Sequence, residues 1–503
     1  MMDITLFPAL LIVVPILAAT LPIVLGLKWK DTGWAVSTGV CGLLFGAALL
    51  LAASVYTGDA AVVHELGGFV RPVGIELVAD RFSTGIAVLV TGVSFATLAY
   101  TRVGGPRGNP FYAGYLLLAG GLLGVTFTGD VFNLFVFLEI TGLATYALVA
   151  KGRGGEAAVA ALKYLILGTL GASLYLIGVG FLFLATGTLN MVHLGETMAT
   201  VGYDDPLVRA GFAFILVGFA IKVAQWPVHT WQPDAYQRAP DGVTPLIAAL
   251  VSTVSAYALG RVLYTVFTPA FFAEVPMAAG ALVTIGMVSV LMGSILAVIQ
   301  RDVKRMLAYS SVSQFGLIVA AFGLATETAL LGAMIHLLGH GLMKAGLFIA
   351  IGVVAVALGA RTVREYAGVA RERPYAAGAI AALGIALIGI PPSIGFLGKW
   401  YIAVGAVEAA NWPVAAVIFI STMLTLAYVA RLGERMYFQA HSRPGHTPRT
   451  APLVPDGGNM LGKDVSIGMR GIMIALALLA IVLGFAGASL DAAFSPFVEE
   501  VFN

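Results

Sequence analysis

Apolar runs of roughly 18 or more residues recur from end to end of this chain, and no other feature narrows its fold as much. A run of that length can cross a bilayer as a helix, which satisfies every backbone N–H and C=O internally. Composition agrees, since 59% of the 503 residues are hydrophobic and 11% charged, where a soluble protein carries about 25% charged. The chain reads as an all-α polytopic membrane protein. Its formal net charge of +2, with no basic face, gives no reason to expect nucleic-acid binding. The single cysteine, Cys41, lies in an apolar run and supports neither a disulfide nor a metal cluster. The opening MMDITLFPALLIVVPILAATLPIVLGL lacks a basic leader and a small-residue cleavage site, so it reads as a first span.

Taken in order, fourteen spans are predicted near 4–26, 34–56, 82–101, 111–129, 131–150, 160–185, 207–227, 244–267, 275–298, 306–323, 328–358, 376–403, 412–433 and 470–490. The eleventh is long enough to kink or to extend beyond the bilayer. A polar stretch from Gly433 to Arg470 reads as a loop. Basic residues test the count. Loops after odd-numbered spans carry Lys28, Lys30, Arg102, Arg107, Lys151, Arg153, Arg238, Arg301, Lys304, Arg305, Arg361 to Arg373, and Arg431 to Arg470. Loops after even-numbered spans are acidic, with Asp59, Glu65, Glu76, Asp80, Glu196, Asp204 and Asp205. The positive-inside rule then places the first set in the cytoplasm and both termini outside.

Several charges fall inside the apolar runs, where each costs several kcal/mol unless paired or hydrated. Lys222 lies shortly before Trp226-Pro227 in the seventh span, and a proline there frees backbone groups that an internal cavity can satisfy. Glu139 sits deep in GDVFNLFVFLEITGLATYALVA; a static ion pair with Lys222 would fix helix packing, but buried pairs are unreliable stabilisers, which favours transport. His336, His340 and Lys344 recur every four residues and share one helix face. That stripe suits proton hopping through water. The same His-x3-His spacing could hold zinc, but no acid or thiol on the face completes a site, so no metal is expected. In IALIGIPPSIGFLGKW, Pro391-Pro392 and the glycines at 389, 395 and 398 break an apolar run just before Lys399.

A lysine beside a broken helix thus occurs twice, in spans 7 and 12. That pattern points to a transporter built from repeats. Pairing spans 4–8 with 9–13 divides the chain into 1–110, 111–267, 275–433 and 434–503, and five spans per unit require the second unit to be inverted. Lys163 either snorkels to the cytoplasmic surface or reaches Glu139. Ser310, Ser311, Ser313 and Gln314 either line a channel or pack helices.

The stretches GDVFNLFVFLEI, KVAQWPVHTWQPDA, RDVKRMLAYSSVSQFG, HLLGHGLMKAG and GIPPSIGFLGKW, in this order, resemble the antiporter-like family shared by Mrp-type multi-subunit cation/proton antiporters and the proton-pumping membrane arm of respiratory complex I. The wording around Glu139 and Lys399 looks most like the D-type branch of the Mrp antiporters. The resemblance implies fourteen helices, two inverted five-helix repeats with discontinuous helices 7 and 12, and a polar axis at mid-membrane. By motif, Glu139 and Lys222 match the family's ion pair, His336, His340 and Lys344 its central relay, and Lys399 a lysine near the exit. One departure stands out. Relatives carry a lysine on the eighth helix where this chain has Ala256.

The implied function is proton translocation within a multi-subunit Na+ or K+/proton antiporter of the cell membrane, partnered by other membrane subunits. The alternatives are a pumping subunit of a complex I-like NADH or ferredoxin:quinone oxidoreductase, and a subunit of an ion-linked uptake complex. No cofactor is expected, because the chain has no flavin, nicotinamide or iron–sulfur motif and so no redox centre of its own.

Overall fold

The structure, a computed structural model, describes residues 4–58, 60–440 and 465–503. Asp59 and most of the polar stretch before Arg470 lie outside the described residues, so the loop expected there, with its arginines, goes without a structural account. Among the described residues the protein is a bundle of long apolar helices. These are α1 (Ile4–Gly26), α2 (Gly33–Thr57), α3 (Arg81–Gly104), α4 (Asn109–Phe127), α5 (Val131–Ala150) and α6 (Gly155–Thr186). A short α7 (Met191–Val201) precedes the two halves of a broken helix, α8 (Pro206–Lys222) and α9 (Trp231–Arg238). Then come α10 (Thr244–Glu274), α11 (Pro276–Ile299), α12 (Val303–Leu324) and α13 (Glu327–Leu358). A second broken helix follows as α14 (Pro374–Ile388) and α15 (Ile394–Glu408), and the chain closes with α16 (Trp412–Phe438), α17 (Ile467–Phe485) and α18 (Gly487–Phe502). Twelve of these described helices are long and apolar enough to cross a membrane unbroken.

Most starts near the polar axis have a local cause. Asp80, Asp130, Asn190, Asp205, Asp302, Thr326 and Ser393 accept hydrogen bonds from the first free N–H groups of the helices they precede. Pro206, Pro276 and Pro374 occupy first-turn positions where no N–H is needed. The core is α10, α12 and α13, whose apolar windows are 94%, 94% and 89% buried, while those of α1 and α16 are only 33% and 28% buried. A helix hydrophobic on all sides and buried here belongs to the core; one exposed in the single chain faces lipid or a neighbouring subunit.

Small residues let the helices approach closely. A Cβ added at Gly286 would stand 2.6 Å from the Gly316 carbonyl across α11 and α12, and one at Gly178 would stand 2.7 Å from Gly211 across α6 and α8. Loops rich in basic residues meet at one end of the bundle. There Arg361 pairs with Asp241 at 3.0 Å, and Gly368 N–H donates to the Arg435 carbonyl. At the other end Arg81 donates to the Gly58 and Ala493 carbonyls.

The structure departs from the sequence-based expectations in several places. Strands β1 (Val62–Glu65) and β2 (Glu76–Ala79) pair antiparallel in what reads as a plain loop. The thirteenth predicted span runs past 433 to Phe438, and α13 is one continuous 32-residue helix with no proline inside. The chain turns after Phe485 into the separate α18, which packs Phe494 and Phe497 against Tyr56 and Phe82. Helix α10 contains two π-helical turns, Ile247–Val251 and Val262–Phe267, which flank its central segment.

Candidate functional site: a polar axis through the bundle

The first cluster forms where α8 ends. Lys222 is its last helical residue, and its Nζ lies 3.2 Å from Glu139 Oε1 on α5. Ala224 follows at φ +56, a left-handed conformation that costs an alanine about 1–2 kcal/mol. The freed backbone groups find side chains: Trp231 Nε1 donates to the Ile221 carbonyl at 2.8 Å, and the Trp226 N–H donates to Ser289 Oγ at 2.9 Å. The break is thus tied to α9 on one side and α11 on the other. Lys222 is 9% exposed and Glu139 24%, so the carboxylate reaches the flank of the bundle while the ammonium stays inside.

The central cluster joins α12 to α13. His336, His340 and Lys344 are all fully buried on one face of α13. His336 Nε2 shares a 2.8 Å hydrogen bond with Gln314 Oε1, and the His340 ring lies edge-on to Phe315 with centroids 4.6 Å apart. Lys344 Nζ donates to the Leu307 carbonyl at 2.7 Å and to Ser310 Oγ. The polar row of α12 thus bonds the stripe of α13 through Gln314 and Ser310 and fastens α12 to α11 through Ser313 and Ser294.

The third cluster is the second break. Gly389 ends α14 at φ +90, and Lys399 Nζ donates back to the Leu387 and Ile388 carbonyls at 3.1 and 2.9 Å. An ammonium at a helix C-terminus meets the negative end of its dipole. Of the three glycines only Gly389 stands at the break, together with Pro391-Pro392, which corrects the sequence reading of all three glycines. Gly395 and Gly398 lie inside α15 and make close contacts, a Cβ at Gly398 falling 2.5 Å from His336 Cβ. That contact seats the Lys399 helix on the central stripe. Ala256 is fully buried in α10.

Between the first and central clusters stand further polar residues, of which the sequence reading passed over Gln225, His229 and Gln232. His229 is buried beside Tyr309, ring centroids 5.9 Å apart, and its Nδ1 has no partner among the described residues. Gln232 Nε2 donates to Tyr236 Oη at 3.0 Å and Ser252 Oγ at 3.2 Å. Gln225 Oε1, Gln232 Oε1 and Thr253 Oγ1 are likewise unpartnered. The signal for His229 was its place just after Trp226-Pro227. Lys163 goes not to Glu139 but to Asp234 at 2.8 Å, half-exposed, and Arg305 holds the same carboxylate at 2.7 Å. Arg261, inside α10, was also missed; it pairs with Asp80 at 2.6 Å. Among the described residues no group of three or more His, Cys, Asp or Glu side chains could hold a metal.

Where the basic loops meet, Asp241 is held by Lys304 at 3.2 Å and by Arg361. Burial alone would raise its carboxyl, but Lys304 and Arg361 together hold it well below the usual carboxylate range.

Residues 128–425 match the family described as NADH:quinone oxidoreductase/Mrp antiporter, transmembrane. The chain is 39% identical over 484 residues to the N subunit of an NADH-quinone oxidoreductase of Desulforudis audaxviator, covering 95% of each chain. It is 30% identical over 427 residues to the D subunit of a Na(+)/H(+) antiporter of Alkalihalophilus pseudofirmus, covering 83% of this chain and 85% of that one. Among solved structures it resembles a chain of the Mrp complex of a Dietzia species (TM-score 0.88, 25% identity, all of both chains). It also resembles one of an archaeal membrane-bound sulfane sulfur reductase (TM-score 0.88, 30% identity, 99% and 98% covered). The chain is a multi-pass membrane protein belonging to the NADH:quinone oxidoreductase/Mrp antiporter family, an antiporter-like or complex I-like membrane subunit.

Proposed function

We propose that the chain is the proton-translocating subunit of a multi-subunit Na+ or K+/proton antiporter. The Glu139–Lys222 pair at a broken helix carries the reading. Ionised Glu139 stabilises the ammonium of Lys222; drawing the two apart removes that partner and drives the proton inward. His336, His340 and Lys344 receive it, and Lys399 passes it on at the second break. With Ala256 in place of a lysine, water held by Gln225, His229, Gln232 and Thr253 bridges the first and central clusters. Their unpartnered polar atoms support this, since buried polar groups are otherwise paired.

In this reading the chain crosses the membrane fourteen times, with broken helices counted once each. Spans 4–8 and 9–13 form inverted repeats and both termini lie outside. The chain works in a cell membrane beside other membrane subunits, as the names of its relatives suggest. The 39% identity to an oxidoreductase subunit favours a second reading, in which the same relay is driven by quinone reduction.

Everted vesicles carrying the native assembly separate these. They are energised to an acid interior and given Na+ or K+ while a pH dye is followed. Cation-dependent loss of the gradient in wild type that vanishes in Lys222→Ala, with assembly intact, is expected. Unchanged dissipation in the variant sinks the role of Lys222, and acidification that needs quinone reduction but no cation favours the redox-driven reading.

A further inference from the structure

A cavity of about 140 Å³ opens at the basic end of the bundle, between the N-terminus of α14 and the start of α17. Arg373 and Arg470 both line it, with Pro374, Tyr375, Met473 and Glu372. Neither arginine belongs to an ion pair within the described residues. The Arg373 Nε–H is buried and has no acceptor among the described residues. Arg373 is therefore short of acceptors where it lines the cavity, and an anion there would meet a guanidinium with bonding capacity to spare. Pro374 at the first helical position leaves the following N–H groups of α14 free at the same place, and a helix N-terminus adds favourable potential for an anion.

We propose that this cavity binds the phosphate group of an anionic phospholipid. Two guanidinium groups match the oxygens of one phosphodiester, and arginine bonds such a group in a fixed geometry. The rim argues for a lipid as the carrier. Tyr375 on the rim is 64% exposed, and Ile467, one turn before Arg470, is 88% exposed; an aromatic and an aliphatic side chain are thus set where a headgroup meets its acyl chains. Helices α14 and α17 pack together below, so the site lies at a helix-pair tip, where basic pockets hold acidic headgroups. Glu372 on the same rim favours a phosphodiester, with its single charge, over a dianion.

The test uses the full chain in its assembly, purified in neutral detergent, with labelled phosphatidylglycerol as probe. Wild type should bind it about 30-fold more tightly than the Arg373→Gln/Arg470→Gln pair, while Arg107→Gln, an exposed arginine elsewhere, changes nothing. Phosphatidylcholine should not compete. Failure of millimolar inorganic phosphate to displace the probe assigns the site to lipid; full displacement assigns it to phosphate groups whatever their carrier, which overturns the lipid. Equal binding by wild type and the double variant overturns the proposal. If the double variant does not assemble, the exposed Arg470→Gln alone decides, with about a fivefold loss expected and no loss overturning the site.

Discussion

Lys222 ends α8 with its ammonium on Glu139, and the transport role proposed above asks two things of that pair. It must hold charge, and it must let a proton go. Two substitutions separate these demands. Lys222→Arg keeps the charge but cannot release a proton, so cation-dependent proton flux in vesicles should fall roughly a hundredfold, as in Lys222→Ala. Glu139→Gln keeps a hydrogen-bonding group and removes the charge; flux should fall at least about tenfold, with assembly unchanged on gel filtration. Normal flux in the arginine variant would show that Lys222 only anchors α8. Both residues were legible in the sequence because a charge in an apolar run is conspicuous. His229 and Arg261 were not: one hid in a polar stretch where histidine is unremarkable, the other near a span end where arginine snorkels.

Broken helices are only as good as the contacts that hold their halves. Lys399 reaches the α14 carbonyls because Gly398 sets α15 directly on His336 and Gly395 sets it on Ala386, where an added Cβ would stand 2.0 Å from the carbonyl oxygen. Gly398→Ala should therefore cost about 1–3 kcal/mol and lower the melting temperature of the complex. Gly378→Ala, in α14 with nothing within 4 Å of its would-be Cβ, should be neutral or stabilise by up to ~1 kcal/mol. Equal effects at the two sites would contradict close packing of α15 on α13. From sequence, all three glycines read as breakers. Composition cannot tell a glycine that turns the chain from one that admits a neighbour, since that depends on which helix lies alongside.

Across the whole molecule, Asp241 ties the loop after α9 to the start of α12 and the end of α13 through Lys304 and Arg361. Because its carboxyl is held below its unfolded value of about 3.9, its stabilising effect is present above that pH and is lost only as pH falls through the lower folded value. Wild-type melting should thus keep this contribution between pH 7 and pH 5. Asp241→Asn, which leaves Lys304 buried without its partner, should cost about 3 kcal/mol at either pH. A variant that melts like wild type would make the network dispensable.

The apolar runs by themselves determined a helical membrane bundle, and the misplaced charges marked Glu139, Lys222, His336, His340, Lys344 and Lys399. Hydrocarbon admits few folds and tolerates few charges, so both signals are local and strong. Apart from Glu139 and Lys222, which charge meets which was decided only in three dimensions. Lys163 pairs with Asp234 and not Glu139, Lys399 returns to the end of α14, and Arg261 finds Asp80. Partners far apart in the chain are set by how helices pack, and that packing is a property of the assembled bundle, not of any one span.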